Sequence, residues 1–371
     1  MKEPKIFVEK NYKNIIKDLK TIALIAAPPF KEKRRISYIK DYLIRKGFCG
    51  INIDKEGNLF LGLNKEKSRT ILFSAHVDTV FPESTELKIK EDKNKIFCPG
   101  ICDNSMGIIS LLYLLKYIKE NKIQLKKNII FLFNVGEEGL GNLRGIKYFI
   151  DHLKKHNIRA HIVVEGYKLG RLTTRVAGSH RVKIIVTTRG GHSWRDYGRA
   201  NAIVLATRII QEISSLEFLD SPKTTFNVGT INGGRSINSI PDYCEFSLEF
   251  RSTSQKKLDA KKRELKAILS NIRDAKISTE VLGDRPTGKM NSYKLIRLIK
   301  EIHKKLNIKT IEDIGSTDSN YPISKGLPSL TIGITNAKHI HSQKEFLYKR
   351  PIKKGIEQLI HIFNSLNNQN V

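Results

Sequence analysis

The sequence has no continuous apolar run approaching the roughly 20 residues of a membrane span, so a membrane partner is not expected. The N-terminal stretch Met1-Lys2-Glu3-Pro4-Lys5 lacks the apolar core of a secretory signal. Cysteine is scarce: Cys49, Cys98, Cys102 and Cys244 stand without a framework spacing, so reduced thiols and a cytoplasmic location are expected. Internal repeats and low-complexity tracts are absent, which excludes an array of repeated units. Acidic residues are the scarcer charge, 37 against 66 Lys and Arg, giving a formal charge of +29. Such a charge suits a polyanion binder, but the basic residues are spread along nearly every expected helix. The densest clusters, Lys31-Glu32-Lys33-Arg34-Arg35 and Lys261-Lys262-Arg263, are short, and no nucleic-acid module is recognisable. A solvated lysine-rich surface is therefore expected, with no nucleic-acid partner.

What is present is a chain of 371 residues, 40% apolar, long enough for a real core and two domains. Apolar runs at Leu59 to Leu63, Thr70 to Ala75, Asn128 to Asn134 and His161 to Val164 read as short buried strands. Ser105 to Glu120 and Asn142 to Lys154 carry apolar residues at three- and four-residue spacing and read as helices. Alternation of this kind predicts an α/β fold, a mostly parallel sheet with helices on both faces. A helix at Tyr293 to Leu306, a strand at Ser329 to Thr335 and a helix at Lys353 to Leu366 extend the pattern. Between Arg181 and Leu282 the order changes to β-α-β-β-α-β, that of an inserted ferredoxin-like α+β domain. The flanks Gly166 to Gly178 and Gly283 to Gly288 are rich in turn residues. The expected division is a catalytic domain from 1–176 and 285–371 interrupted by an inserted lid and dimerisation domain at 177–284.

The chemistry-bearing residues lie after the expected strands. His76 and Asp78 follow the first long strand, at the edge where open α/β sheets bind ligands, and their spacing suits a carboxylate orienting a metal-binding histidine. Asp103 precedes the apolar helix and by itself is an N-cap. Glu137 and Glu138 end another strand, and two adjacent carboxylates there repel unless a cation or proton intervenes. Glu165 and His341, ordinary loop residues if taken singly, follow further strands. Four strands thus deliver histidine or carboxylate to one edge of one sheet. A donor set of imidazole and carboxylate without thiolate suits zinc, cobalt or manganese, and five ligands with one bridging carboxylate suit two ions roughly 3.5 to 4 Å apart. Cys102, with no second cysteine at ligand spacing, reads as a small buried hydrophobe.

In order along nearly the whole chain, the sequence carries Ala27-Pro28-Pro29-Phe30 with Glu32, Gly57-Asn58, Ser74 to Val80, Asp103, Gly136-Glu137-Glu138-Gly139, Glu165, Gly190-Gly191-His192-Ser193, Gly229 to Pro241, Gly315-Ser316-Thr317-Asp318 and His341 to Glu345. In this set it resembles the dinuclear zinc exopeptidases and deacylases, among them peptidase T, bacterial glutamate carboxypeptidase, aminoacylase, acetylornithine deacetylase and succinyl-diaminopimelate desuccinylase. The resemblance implies that His76 and Glu165 bind one zinc, Glu138 and His341 the other, and Asp103 both, through a cis peptide to Asn104. Cobalt or manganese would substitute. Asp78 would sit behind His76, and Glu137 would be the general base and acid acting on the metal-bridging water. The resemblance further implies that His192 reaches across a homodimer interface in the inserted domain to the oxyanion. It places the substrate's carboxylate on Asn238 and Arg251, with Gly315, Ser316 and Thr317 also binding substrate. His192 as a turn residue, Asn238 as a loop residue and Arg251 as a surface strand residue remain the bland alternatives. The run Cys98 to Gly107 and the pair His180-Arg181 depart from the family pattern.

Glu at position 165, where aminopeptidases of the family tend to carry Asp, leans towards a carboxypeptidase or deacylase acting on a small peptide or N-acyl amino acid. The stretch Gly315 to Asn320 leans instead towards a di- or tripeptidase of the peptidase T type. A non-catalytic binding protein on the same fold is the reading from another class; loss of Glu137 or a ligand would have marked it, and all are present.

Overall fold

The computed structural model describes residues 3–153, 157–218 and 221–369. Met1 and Lys2 of the N-terminal stretch, and Lys154 at the end of the helix expected over Asn142 to Lys154, lie outside the described residues. The chain divides into two compact units, Met1–Arg175 with Lys289–Val371, and Val176–Gly288.

In the first unit the main sheet runs, edge inward and across, through Ile51–Ile53, Leu59–Leu63, Asn128–Asn134, Arg69–His76, Asn157–Tyr167, Ser329–Thr335 and Arg171–Val176. The strands Asn128–Asn134, Arg69–His76, Asn157–Tyr167 and Ser329–Thr335 are mutually parallel. Leu59–Leu63 and Arg171–Val176 flank them antiparallel. Every residue of Asn128–Asn134 and of Ser329–Thr335 is buried, as expected of strands covered on both faces. Alternation sorts the side chains: Phe73 stacks on Phe131 and meets Phe363 of the helix Lys349–Asn368 on one face. On the other, Leu72, Ile130 and Leu132 pack under Ile146 and Phe149 of the helix Arg144–His152.

The segment Ile101–Glu120 is long and apolar enough to cross a membrane by length and composition, yet 89% of its 18-residue apolar stretch is buried inside the protein as a core helix. Its regular part starts at Gly107, where a Cβ would lie 2.4 Å from the carbonyl oxygen of Val164, so only glycine lets this helix end approach the strand so closely. Arg171–Val176 and Ile311–Gly315 are strands in stretches where the sequence pattern predicts only connections. Arg35, in the densest basic cluster, is not on a solvated face. It is 1% exposed and donates to the carbonyl oxygens of Ile25 and Val77.

The second unit is a four-stranded antiparallel sheet in the order Thr224–Gly233, Tyr243–Ser252, Gly178–Thr187, Lys276–Arg285. The helices Ala202–Ser214 and Gln255–Ser270 cover one face, burying Val182, Ile184, Val186, Phe246, Leu248 and Phe250. Asn201 and Ser254 cap these helices with side-chain acceptors for the first free N–H groups. The chain order is the split β-α-β-β-α-β pattern.

Candidate metal centre

Because the four central strands are parallel, their carboxyl ends share one edge. His76 closes Arg69–His76, in register with Asn134 of its neighbour. Glu165 lies in Asn157–Tyr167, opposite Gly333, while Glu137, Glu138 and His341 sit in the connections beyond Asn134 and Thr335. Three groups of donor atoms converge, each with its atoms within 4.8 Å of one another: His76, Glu137 and Glu138; His76, Asp103 and Glu165; Asp103, Glu138 and His341.

Asp103 stands between the two histidines. Its Oδ1 is buried and lies 3.1 Å from His76 Nε2 without forming a hydrogen bond, and its Oδ2 lies 3.1 Å from His341 Nε2. His76 Nε2 is also 3.5 Å from Glu165 Oε2, and His341 Nε2 is 3.1 Å from Glu138 Oε1. Lone pairs that face one another across such gaps have the arrangement of ligands around cations. The donor set, two imidazoles and carboxylates with no thiolate, fits two borderline divalent metals. Cys102 is buried, and burial holds its thiol well above its ordinary pKa. It is no ligand in this geometry.

The electrostatics carry the same surplus of negative charge. Burial, then the charge of Asp103, push Glu138 up to about 8. Glu165 is raised mainly by burial, against the pull of His76. His76 is held well above the ordinary histidine range: burial works against its charge, but the neighbouring carboxylates of Glu165, Asp103 and Asp78 outweigh it. Hydrogen bonding to Asp103 and Glu138 raises His341 to about 11. Protons thus occupy the centre wherever a cation does not.

Local structure explains how the ligands are held. The peptide between Asp103 and Asn104 is cis. Asp103 does not cap the helix as its position suggested. The Asn104 side chain accepts the N–H of Gly107 and Gly166 and donates to Val164, tying the helix to the strand that carries Glu165. Asp78 lies behind His76, on the ring nitrogen away from Asp103. His76 Nδ1 is nearest to the backbone carbonyl of Asp78, at 3.1 Å, with the carboxylate at 3.6 Å. That carboxylate also accepts the N–H groups of Glu137 at 3.0 Å and Glu138 at 2.7 Å, fixing both acids of the turn.

Sequence reasoning missed several supports. A Cβ on Gly136 (φ +65°) would fall 2.5 Å from the side chain of Arg144, which lies under the turn and pairs with Glu32 at 2.8 Å and Glu56 at 2.6 Å. Asp318, fully buried, accepts from Asn134 at 2.7 Å, and burial together with nearby Glu137 holds it well above the ordinary carboxyl range. Glu32 and Asp318 stood in the motifs quoted above, and an acid close to the turn residues of those motifs was the available signal.

Gly315 ends the strand Ile311–Gly315, and a Cβ there would fall 2.6 Å from Arg171 Nη2. Ser316 follows it, and Thr317 is buried. The other expected substrate residues belong to the second unit. His192 is exposed in a short strand, Gly191–His192, paired with Ser239–Ile240, and the N–H of Ser193 bonds the carbonyl oxygen of Asn238. Arg251 pairs with Glu249 at 2.7 Å, and the same carboxylate takes Arg181 at 2.6 Å. The unassigned His180 faces Asp284, which also binds Lys262.

The sequence profile described as peptidase family M20/M25/M40 matches residues 72–365. An acetylornithine deacetylase of Buchnera aphidicola subsp. Schizaphis graminum (strain Sg) is 26% identical over 316 residues, 79% of this chain and 80% of that protein. Carboxypeptidase G2 of Pseudomonas sp. (strain RS-16) is 25% identical over 332 residues, 83% of this chain and 77% of that protein. Among solved structures, a tripeptidase from Staphylococcus aureus superposes with a TM-score of 0.79 at 20% identity, over 97% of this chain and 99% of that one. That last likeness speaks to the fold.

Proposed function

The chain belongs to the M20/M25/M40 peptidase family and is a hydrolase, and from that premise we propose that it cleaves an amide or peptide bond of a small peptide or N-acyl amino acid with two zinc ions. His76 and Glu165 would hold one ion, Glu138 and His341 the other, and Asp103 both. The observation that carries this reading is the position of Asp103, with a carboxylate oxygen 3.1 Å from each histidine. Bound there, the metals would supply Lewis acidity towards the scissile carbonyl and a water acidic enough to serve as nucleophile near neutral pH.

Glu137 does the proton work. It is 5% exposed, its backbone is fixed by Asp78, and it joins His76 and Glu138 in one of the convergent groups. It accepts a proton from the attacking water and returns it to the leaving amine. Gly315, Ser316 and Thr317 bind substrate, Asn238 and Arg251 hold its carboxylate, and His192 reaches from a partner subunit to the oxyanion. The inserted unit then serves as lid and dimerisation domain of a homodimer. Four free cysteines support a cytoplasmic setting. Screening the zinc-loaded protein against dipeptides, tripeptides and N-acyl amino acids tests the reading. Turnover restricted to peptides with a free amino terminus would favour the second one, a di- or tripeptidase, to which the Gly315 to Asn320 stretch leans. No turnover of any of these would overturn both.

A further inference from the structure

Beneath the metal centre, on the same sheet face as His76 and Glu165, runs a buried chain of hydroxyl groups centred on an imidazole. His161 Nε2 lies 2.8 Å from Ser74 Oγ, and its Nδ1 lies 2.9 Å from Ser329 Oγ. Ser329 Oγ donates to Ser319 Oγ at 3.2 Å, Ser319 Oγ is 2.8 Å from Thr331 Oγ1, and Thr331 Oγ1 is 2.8 Å from Thr317 Oγ1. Thr317 Oγ1 also accepts the N–H of Ser319. Ser74, His161, Ser319, Ser329 and Thr331 are 0% exposed and Thr317 4%.

Hydrogen counting gives the chain a direction. A hydroxyl has one proton to donate. If Ser329 gives its proton to Ser319, it must accept from His161 Nδ1–H, which leaves Nε2 to accept from Ser74. Ser319 then donates to Thr331, and Thr331 to Thr317. One tautomer of one imidazole therefore satisfies every link. The imidazole is neutral, since burial pulls its pKa down to about 3. A serine against a histidine also suggests a nucleophile and base, but Ser74 admits no substrate at 0% exposure.

The far end of the chain grips the residues on both sides of Asp318. Thr317 and Ser319 both bind Thr331, and Asp318 between them binds Asn134. We propose that His161 is a positioning residue for hydrolysis: through Ser329, Ser319 and Thr331 it fixes the Thr317–Ser319 segment against the sheet face that carries His76 and Glu165. This rests on the reading of Gly315 to Thr317 as substrate-binding. Satisfied buried networks of this kind hold one geometry, and a small misplacement of a binding group costs turnover efficiency.

The test uses His161→Leu in the full-length chain, with two readouts. In the zinc-loaded enzyme, metal stoichiometry should be unchanged, KM should rise about tenfold and kcat should stay within about threefold, the pattern of lost substrate binding. His161→Gln, which keeps a donor and an acceptor, should recover part of the KM. In the metal-free protein, hydrogen exchange of the amides of Thr317, Ser319 and Asn320 should speed up while the parallel strands keep their protection. Unchanged KM with unchanged exchange overturns the proposal, as does an equal loss throughout the sheet. Should His161→Leu fail to fold, Ser319→Ala cuts the hydroxyl chain where it enters the segment and must shift KM and exchange in the same direction; no shift overturns the proposal. If the wild-type protein hydrolyses none of the substrates, the functional reading has failed, and the exchange result alone decides for or against the positioning role.

Discussion

Glu345 lies directly under Asp103, accepting its backbone N–H at 3.2 Å on the same oxygen that takes the N–H of Cys102 at 2.8 Å. Its other oxygen accepts the N–H of Gly100 at 3.0 Å. Burial and the charge of Asp103 push this carboxyl up to about 7, against the pull of those N–H groups. A residue from the end of the chain thus shapes the loop that presents the aspartate shared by both histidines. Glu345→Gln should keep the fold and weaken metal binding by roughly 10- to 100-fold, the usual cost of losing a partner behind a ligand. Calorimetric zinc titration of the metal-free protein would show it, and unaltered affinity would mean the loop holds its shape without Glu345.

Chelation should abolish hydrolysis, and zinc, cobalt or manganese should restore it. Full activity in a sample shown by elemental analysis to be free of metal would rule out the proposed centre.

Glu137→Gln should bind metal as the wild type does and lose roughly 100- to 10,000-fold in turnover, the contribution expected of general acid-base catalysis. An unchanged rate would place the base elsewhere.

His161 makes the fold acid-sensitive. Its folded pKa of about 3 lies below the ordinary value of 6.5, so the unfolded chain binds the extra proton between these limits. Stability from this group is fully present above pH 6.5 and falls as the pH drops towards 3, at up to about 1.4 kcal/mol per pH unit. Urea unfolding of wild type and His161→Gln across pH 7 to 4 should give a shallower dependence in the variant. Parallel curves would show that His161 does not set the slope.

Subunit sharing is tested by mixing two inactive variants, His192→Ala and Glu137→Gln. A mixed dimer would contain one site with both residues intact, so activity should return on subunit exchange. Demonstrated exchange without recovery would assign His192 to its own subunit or to the fold alone.

His76, Glu138, Glu165 and His341 were legible in the sequence because each comes at or after the end of a strand that reads as an apolar run, and parallel strands put their ends at one edge; Asp103 was legible only from its place before the apolar helix. Asn128 to Asn134 was read with its observed bounds, and the insert's strand and helix order was plain from its periodicity. The supports were not. Asp78 is two residues from His76, which suggests a side-chain pair but not that the same carboxylate also holds the backbone of Glu137 and Glu138. His161 sits inside an apolar run and reveals nothing until strand register sets it beside Ser329. Arg171–Val176 went unread because basic residues and a preceding glycine mask its alternation.

The insert's first and last strands are neighbours: Ser179 pairs with Arg285, and a Cβ on Gly178 would lie 2.6 Å from the carbonyl oxygen of Arg285. Just outside them, Met290 donates its N–H to the carbonyl oxygen of Thr174. The chain therefore leaves and re-enters the host through one doorway, and for the host sheet the whole excursion is equivalent to a hairpin turn. The insert is in this sense a cassette, whose length and surface can change without rerouting any strand of the metal-bearing sheet.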